Sequence, residues 1–171
     1  PETWHPHQNG GGWVQNTATV TDSAYVGPDA IVSGSAQVSE YSSICGNAQV
    51  YGNTRVSGLA CVYQESRVSG NAKVSGNAVV YEYAQIFGNA QVCGTARVYG
   101  TARVYGNAVV SEDAIVSGHA LVSGNAEVSG HAMVYGNAMV YGNAWVFGNA
   151  CVYGNARVSE DAVVSGNEII A

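Results

Sequence analysis

The sequence predicts an all-β protein, a single-domain parallel β-helix, from three observations on one six-residue period. From Val14 to Ile170 every sixth residue is Val or Ile, 27 positions in strict phase with no insertion or deletion. Two residues before these aliphatics stands a small residue, nearly always Ala, with Ser42, Thr54 and Ser66 as variants. Two and three residues after them comes a turn pair, most often Gly-Asn, as in Gly52-Asn53, Gly88-Asn89 and Gly142-Asn143. Self-similarity on a short fixed period marks a solenoid and overrides any helix or globular reading.

Each hexad divides into a four-residue extended piece and a two-residue corner. Side chains alternate along a strand, so the small residue and the Val share one face. Val is β-branched and suits a pleated surface. At the corner, Gly and Asn tolerate positive φ; Asp29, Asp113, Asp161, His119 and His131 replace Asn at the second corner position and are expected to do the same. A strand burying one Val and one Ala cannot fold alone, so the hexads must stack around a shared interior. Residues 1–12 lie outside the repeat. Trp4, His5, Pro6 and His7, followed by Gly10-Gly11-Gly12, predict a cap over the first coil, and residues 13–171 form the β-helix. No such segment follows Ile170, so the last coil is expected to present unpaired edges that invite end-to-end stacking.

Over residues 12–171 this pattern resembles the hexapeptide-repeat, left-handed β-helix superfamily. The resemblance implies left-handed coiling and three hexads per triangular coil. Nine coils then form a prism roughly 43 Å long at about 4.8 Å per coil. The uniform Gly-Asn-Ala-x-Val-Tyr/Ser style is similar to tandem hexapeptide proteins of bacteria and phages, many described as acyltransferase-like. Enzymes of the superfamily implied by the resemblance bind acyl-coenzyme A between prisms and use a catalytic His and an extruded loop. No loop interrupts the hexads here, so no catalytic residue carries over.

Composition excludes several functions. Six Lys plus Arg against twelve Asp plus Glu give a net charge of -6, too few cations for a protein that tracks phosphates. No apolar run reaches membrane-spanning length, and the polar start Pro1 to Asn9 resembles neither signal peptide nor anchor. Hydrophobic residues at 47% argue against charge-driven disorder. Cys45, Cys61, Cys93 and Cys151 lack CxxC spacing and are expected to be free thiols, which favours a reducing, cytoplasmic compartment.

With 18 residues per coil, the residues after each Val sort into columns. One holds Tyr63, Tyr81, Tyr99, Tyr135 and Tyr153, interrupted by Ser117; a second is mainly Ser; the third mixes Tyr51, Phe87, Tyr105 and Tyr141 with Ser. A Tyr column serves either as a stacked ladder stiffening the wall or as a subunit interface, with ring-stacking on a sugar or base as a third use. Around the eighth coil the outward positions become apolar on every side, and Met133, Tyr135, Met139, Tyr141, Trp145, Phe147, Cys151 and Tyr153 make a belt expected to contact another subunit or a partner.

Chemistry-bearing groups are sparse. His119 and His131 occupy ordinary corners on different edges, and His5 and His7 lie in the cap, so neither a general base nor a zinc site is expected. Glu65 and Glu82 meet at neighbouring coils of one edge, where a weak cation site competes with plain solvated charge. Arg55, Arg67, Lys73, Arg97 and Arg103 are too scattered for a phosphate site. The leading expectation is a noncatalytic scaffold and homo-oligomer, without cofactor or metal, that assembles through aromatic faces or stacked ends. A small-molecule module with sites between subunits, near Tyr63, Tyr81 and Tyr99, and a hexapeptide acyltransferase are the alternatives. Nucleic acid and membrane partners are not expected.

Overall fold

The computed structural model describes residues 3–171. Strand β1 (Trp4–Pro6) is followed by 27 short strands, from β2 (Trp13–Gln15) to β28 (Ile169–Ile170), each of the latter centred on one hexad aliphatic. No helix among the described residues is long and apolar enough to cross a membrane. Strands three apart in sequence pair in parallel, so the chain winds through three sheets in turn. We call the sheets the first, second and third face, beginning at Trp13, Thr19 and Tyr25. Register is 18 residues throughout: Val62 pairs with Val80, Val80 with Val98 and Val98 with Val116.

The interior is a stack of Val and Ala side chains that are almost completely buried from Ala24 to Val152. Ser42 and Ser66, which replace Ala, turn their hydroxyls to the carbonyls of Ser39 and Tyr63, both at 2.7 Å. Thr54 is fully buried, and its Oγ1 is the one such side-chain atom among the described residues without a partner. The last hexad departs from the pattern, with Glu168 at the small position; its Oε2 accepts the Ser165 N–H at 3.1 Å.

The corners show which residue bears the unusual backbone. Positive φ falls on the first corner position, at Gly58 (+74°) and Gly88 (+69°) for instance, and not on the Asn, Asp or His that follows. The expectation that the second position needs the left-handed region is therefore corrected. Its backbone N–H instead donates to the first-position carbonyl one coil on, as from Asn53 to Gly70 at 2.7 Å. The glycines are also closely stacked: a Cβ on Gly58 would lie 2.7 Å from the Gly76 carbonyl oxygen. Five non-glycines occupy the same conformation: Glu40, Gln64, Glu82, Glu112 and Glu160.

The N-terminal segment covers two edges of the first coil. β1 pairs antiparallel with β2, adding a tenth strand to the first face. The following loop crosses to the third face, where Asn9 O accepts from Val26 N at 3.0 Å and Gly12 N donates to Val26 O at 2.9 Å. Gly10 and Gly12 allow that approach, since a Cβ on either would lie 2.3 Å or less from a backbone oxygen.

Candidate functional site

On each strand the residue before the buried Val and the residue after it both point outward. Each face thus carries two parallel columns, and comparing them shows what a partner would meet. The first face presents Trp13, Ile31, Gln49, Arg67, Gln85, Arg103, Leu121, Met139 and Arg157 before its aliphatics. The second presents Thr19, Gln37, Arg55, Lys73, Gln91, Val109, Glu127, Trp145 and Val163. On the third the series is Tyr25, Ser43, Cys61, Val79, Arg97, Ile115, Met133, Cys151 and Ile169, with a single charge. The apolar character of this face shows in the sequence at an 18-residue step through the residue before each Val, the spacing of the register.

Beside that column on the third face runs the tyrosine ladder. Tyr63 and Tyr81 stack with ring centroids 5.1 Å apart, Tyr81 and Tyr99 at 4.8 Å, and Tyr135 and Tyr153 at 5.2 Å, all nearly parallel. Partial burial, then neighbouring acidic groups, raises the Tyr63 and Tyr81 hydroxyls above the usual phenol range, with Arg97 opposing. Tyr135 is raised chiefly by its hydrogen bond with Cys151, whose sulfur lies 3.7 Å from the phenol oxygen. The belt residues are spread around the prism. Met133, Tyr135, Cys151 and Tyr153 lie on the third face, Met139 and Tyr141 on the first, and Trp145 and Phe147 on the second. No one flat partner covers all of them.

The titratable groups are absorbed by corner ladders. On the edge following the first face, Asn53, Asn71, Asn89, Asn107, Asn125 and Asn143 each donate a side-chain bond to the next, ending on Asp161. His119 Nδ1 bonds Thr101 Oγ1, and His131 Nδ1 lies 3.5 Å from Asp113 Oδ2 at an exposed corner. Glu65 Oε1 takes a bond from Asn47 at 2.6 Å, and Glu82 Oε2 takes the Gly100 N–H at 2.7 Å. The shallow depression that both glutamates line thus has carboxylates already engaged. Among the described residues no group of three or more His, Cys, Asp or Glu could hold a metal. All four cysteines are free. Burial raises Cys61 and Cys93 above the ordinary thiol range, with Cys45 adding at Cys61 and Glu127 at Cys93.

A protein-family profile, the YdcK beta solenoid repeat, matches residues 66–82, 102–118, 132–148 and 150–166. LpxA from Acinetobacter baumannii superposes with a TM-score of 0.51 at 14% identity, over 90% of this chain and 71% of the other. The chain is a hexapeptide-repeat left-handed β-helix. A UDP-N-acetylglucosamine acyltransferase from Campylobacter jejuni is 18% identical over the same shares of both chains, with a TM-score of 0.48. No curated protein sequence matches the β-helix significantly. At these identities the relation to LpxA-like β-helices is one of fold.

Proposed function

We propose that the chain is a noncatalytic scaffold that assembles through its third face with a second copy of itself. One observation carries this reading: of the nine outward residues that precede the aliphatics on that face, from Tyr25 to Ile169, Arg97 alone is charged, whereas the same column carries three Arg on the first face and Arg55, Lys73 and Glu127 on the second. Aromatic residues and low charge characterise the centre of protein interfaces. The strip is about 40 Å long and about 13 Å wide, four residues of extended chain. It therefore offers about 500 Å² to each partner, and about 1,000 Å² in total reaches the size at which specific contacts begin. A face that pairs with itself about a two-fold axis closes without forming fibres. The experiment is sedimentation against concentration for the native chain and for the double substitution Ile115→Glu, Met133→Glu. An oligomer that becomes monomeric on substitution supports the reading; a native chain that stays monomeric at high micromolar concentration overturns it.

A second reading, acyl transfer at a corner, rests on the exposed His131, whose Nδ1 lies 3.5 Å from Asp113 Oδ2; an accessible imidazole is the commonest general base. Titration with acetyl-coenzyme A tests it. Binding weakened by His131→Ala is the expected result, and no binding at any oligomer state removes the reading.

A further inference from the structure

On the first face, aromatic rungs stack at the spacing of the coils and then one is missing. Phe87 and Tyr105 follow Ile86 and Val104 in register, with ring centroids 4.9 Å apart and planes parallel. The next rung of that column is Ser123, and the rung after it is Tyr141. Tyr105 and Tyr141 are thus two coils apart, about 10 Å at about 4.8 Å per coil. A cavity of about 230 Å³ opens there, lined by Tyr105, Leu121, Ser123, Met139 and Tyr141. Ser123 points outward yet is only 8% exposed, because it forms the floor between taller neighbours.

We propose that this vacant rung is a binding slot for one planar aromatic anion, stacked between Tyr105 and Tyr141 over the Ser123 hydroxyl. A ring seated midway lies about 4.9 Å from each tyrosine, within the range for offset stacking and equal to the Phe87–Tyr105 spacing. An enclosed cavity of about 150 Å³ takes benzene, so this open slot has room for one ring or a fused pair, with any larger part of a ligand left outside it. Ser123 supplies a donor and an acceptor at the floor. The anionic preference comes from the outward column beside the slot, where Leu121 and Met139 are bracketed in register by Arg103 before and Arg157 after. Both arginines are exposed, and no acidic residue stands in that column. The slot needs neither oligomerisation nor the third face.

The test titrates benzoate, with cyclohexanecarboxylate as a probe of equal charge and similar size that cannot stack. The readout is the NMR shift of the Met139 ε-methyl. A saturable ring-current shift with benzoate, at least tenfold weaker binding of cyclohexanecarboxylate, and loss of the benzoate shift in Ser123→Tyr are expected. Ser123→Tyr supplies the absent rung and should raise Tm, which reports that it folds; Tyr141→Leu, which removes one wall, should lose the shift independently. Arg103→Gln together with Arg157→Gln should weaken benzoate severalfold. Equal binding of the two probes, or benzoate binding unchanged in Ser123→Tyr or Tyr141→Leu, overturns the slot. Affinity unchanged in the double Arg variant overturns its preference for anions.

Discussion

Glu82 Oε2 accepts the backbone N–H of Gly100 at 2.7 Å, one coil further along the same corner. Gln64 does the same for Glu82, and Glu112 for Gly130. A residue with a side chain in the left-handed region costs roughly 1 kcal/mol, and here its carboxylate or amide offsets that cost by satisfying the first-corner amide of the next coil. Glu82→Ala keeps the strained backbone and loses the bond, so it should destabilise by about 1–2 kcal/mol. Glu82→Gly loses the bond but releases the strain and should be close to neutral. Urea denaturation of both variants decides it; a glycine variant less stable than the alanine one contradicts the account.

Gly58 and Gly166 share positive φ but differ in what lies below them. A Cβ at Gly58 meets the Gly76 oxygen at 2.7 Å, whereas at Gly166 nothing lies within 4 Å. Gly166→Ala should cost only the conformational term, about 1 kcal/mol. Gly58→Ala adds a backbone clash and should cost about 2–4 kcal/mol. Thermal unfolding of the pair measures the difference.

Thr54 places a hydroxyl where nearly every other hexad has Ala, and its Oγ1 is buried without a partner. Thr54→Val keeps the shape and removes the unpaired group. A gain of about 1 kcal/mol is expected, read as a higher urea midpoint with an unchanged slope.

Cys61, Cys93, Tyr63 and Tyr81 all bind their protons more tightly folded than unfolded, with burial the leading cause. Stability linked to them is therefore complete below the unfolded thiol range, about pH 8.5. It falls as pH rises through the higher folded values. Two results should follow: alkaline loss of stability that weakens in Cys61→Ser, Cys93→Ser, and slow disulfide-reagent labelling at pH 8 that accelerates only at higher pH. Labelling of Cys61 and Cys93 themselves at the rate of a free thiol at pH 8 would contradict the raised values.

Breaking the asparagine ladder in its middle should cost more than at its end. Asn89→Ala removes the bond from Asn71 and the bond to Asn107, while Asn53→Ala removes only the bond to Asn71. Exposed bonds contribute little, so about 1 kcal/mol against about 0.5 kcal/mol is the expected contrast. Equilibrium unfolding of the two variants tests it.

Much of the molecule was legible because the period is local. The alternation that buries Val and Ala, and the turn residues that bend the chain, act within six residues, so Val80 or Gly88 could be assigned from its neighbours alone. The corner conformation was only half legible: Gly and Asn both suggest positive φ, and the choice between them depends on the coil below, where a carbonyl and an N–H must be met. Candidate sites were the least legible. Ser123 reads as an ordinary outward serine until the rungs above and below it are known.

From the sequence by itself came the all-β class, the unbroken hexads, the buried aliphatic and Ala positions and the sites of the corners. Tertiary structure decided what the outward residues meet: tyrosine rings stacked in register, glutamates engaged by corner amides, and an open slot between Tyr105 and Tyr141 over a nearly buried Ser123. The reason is that burial and turn preference are set by residues close along the chain, whereas stacking and ladder bonds join residues 18 apart, and that neighbour exists only once three corners have closed a coil.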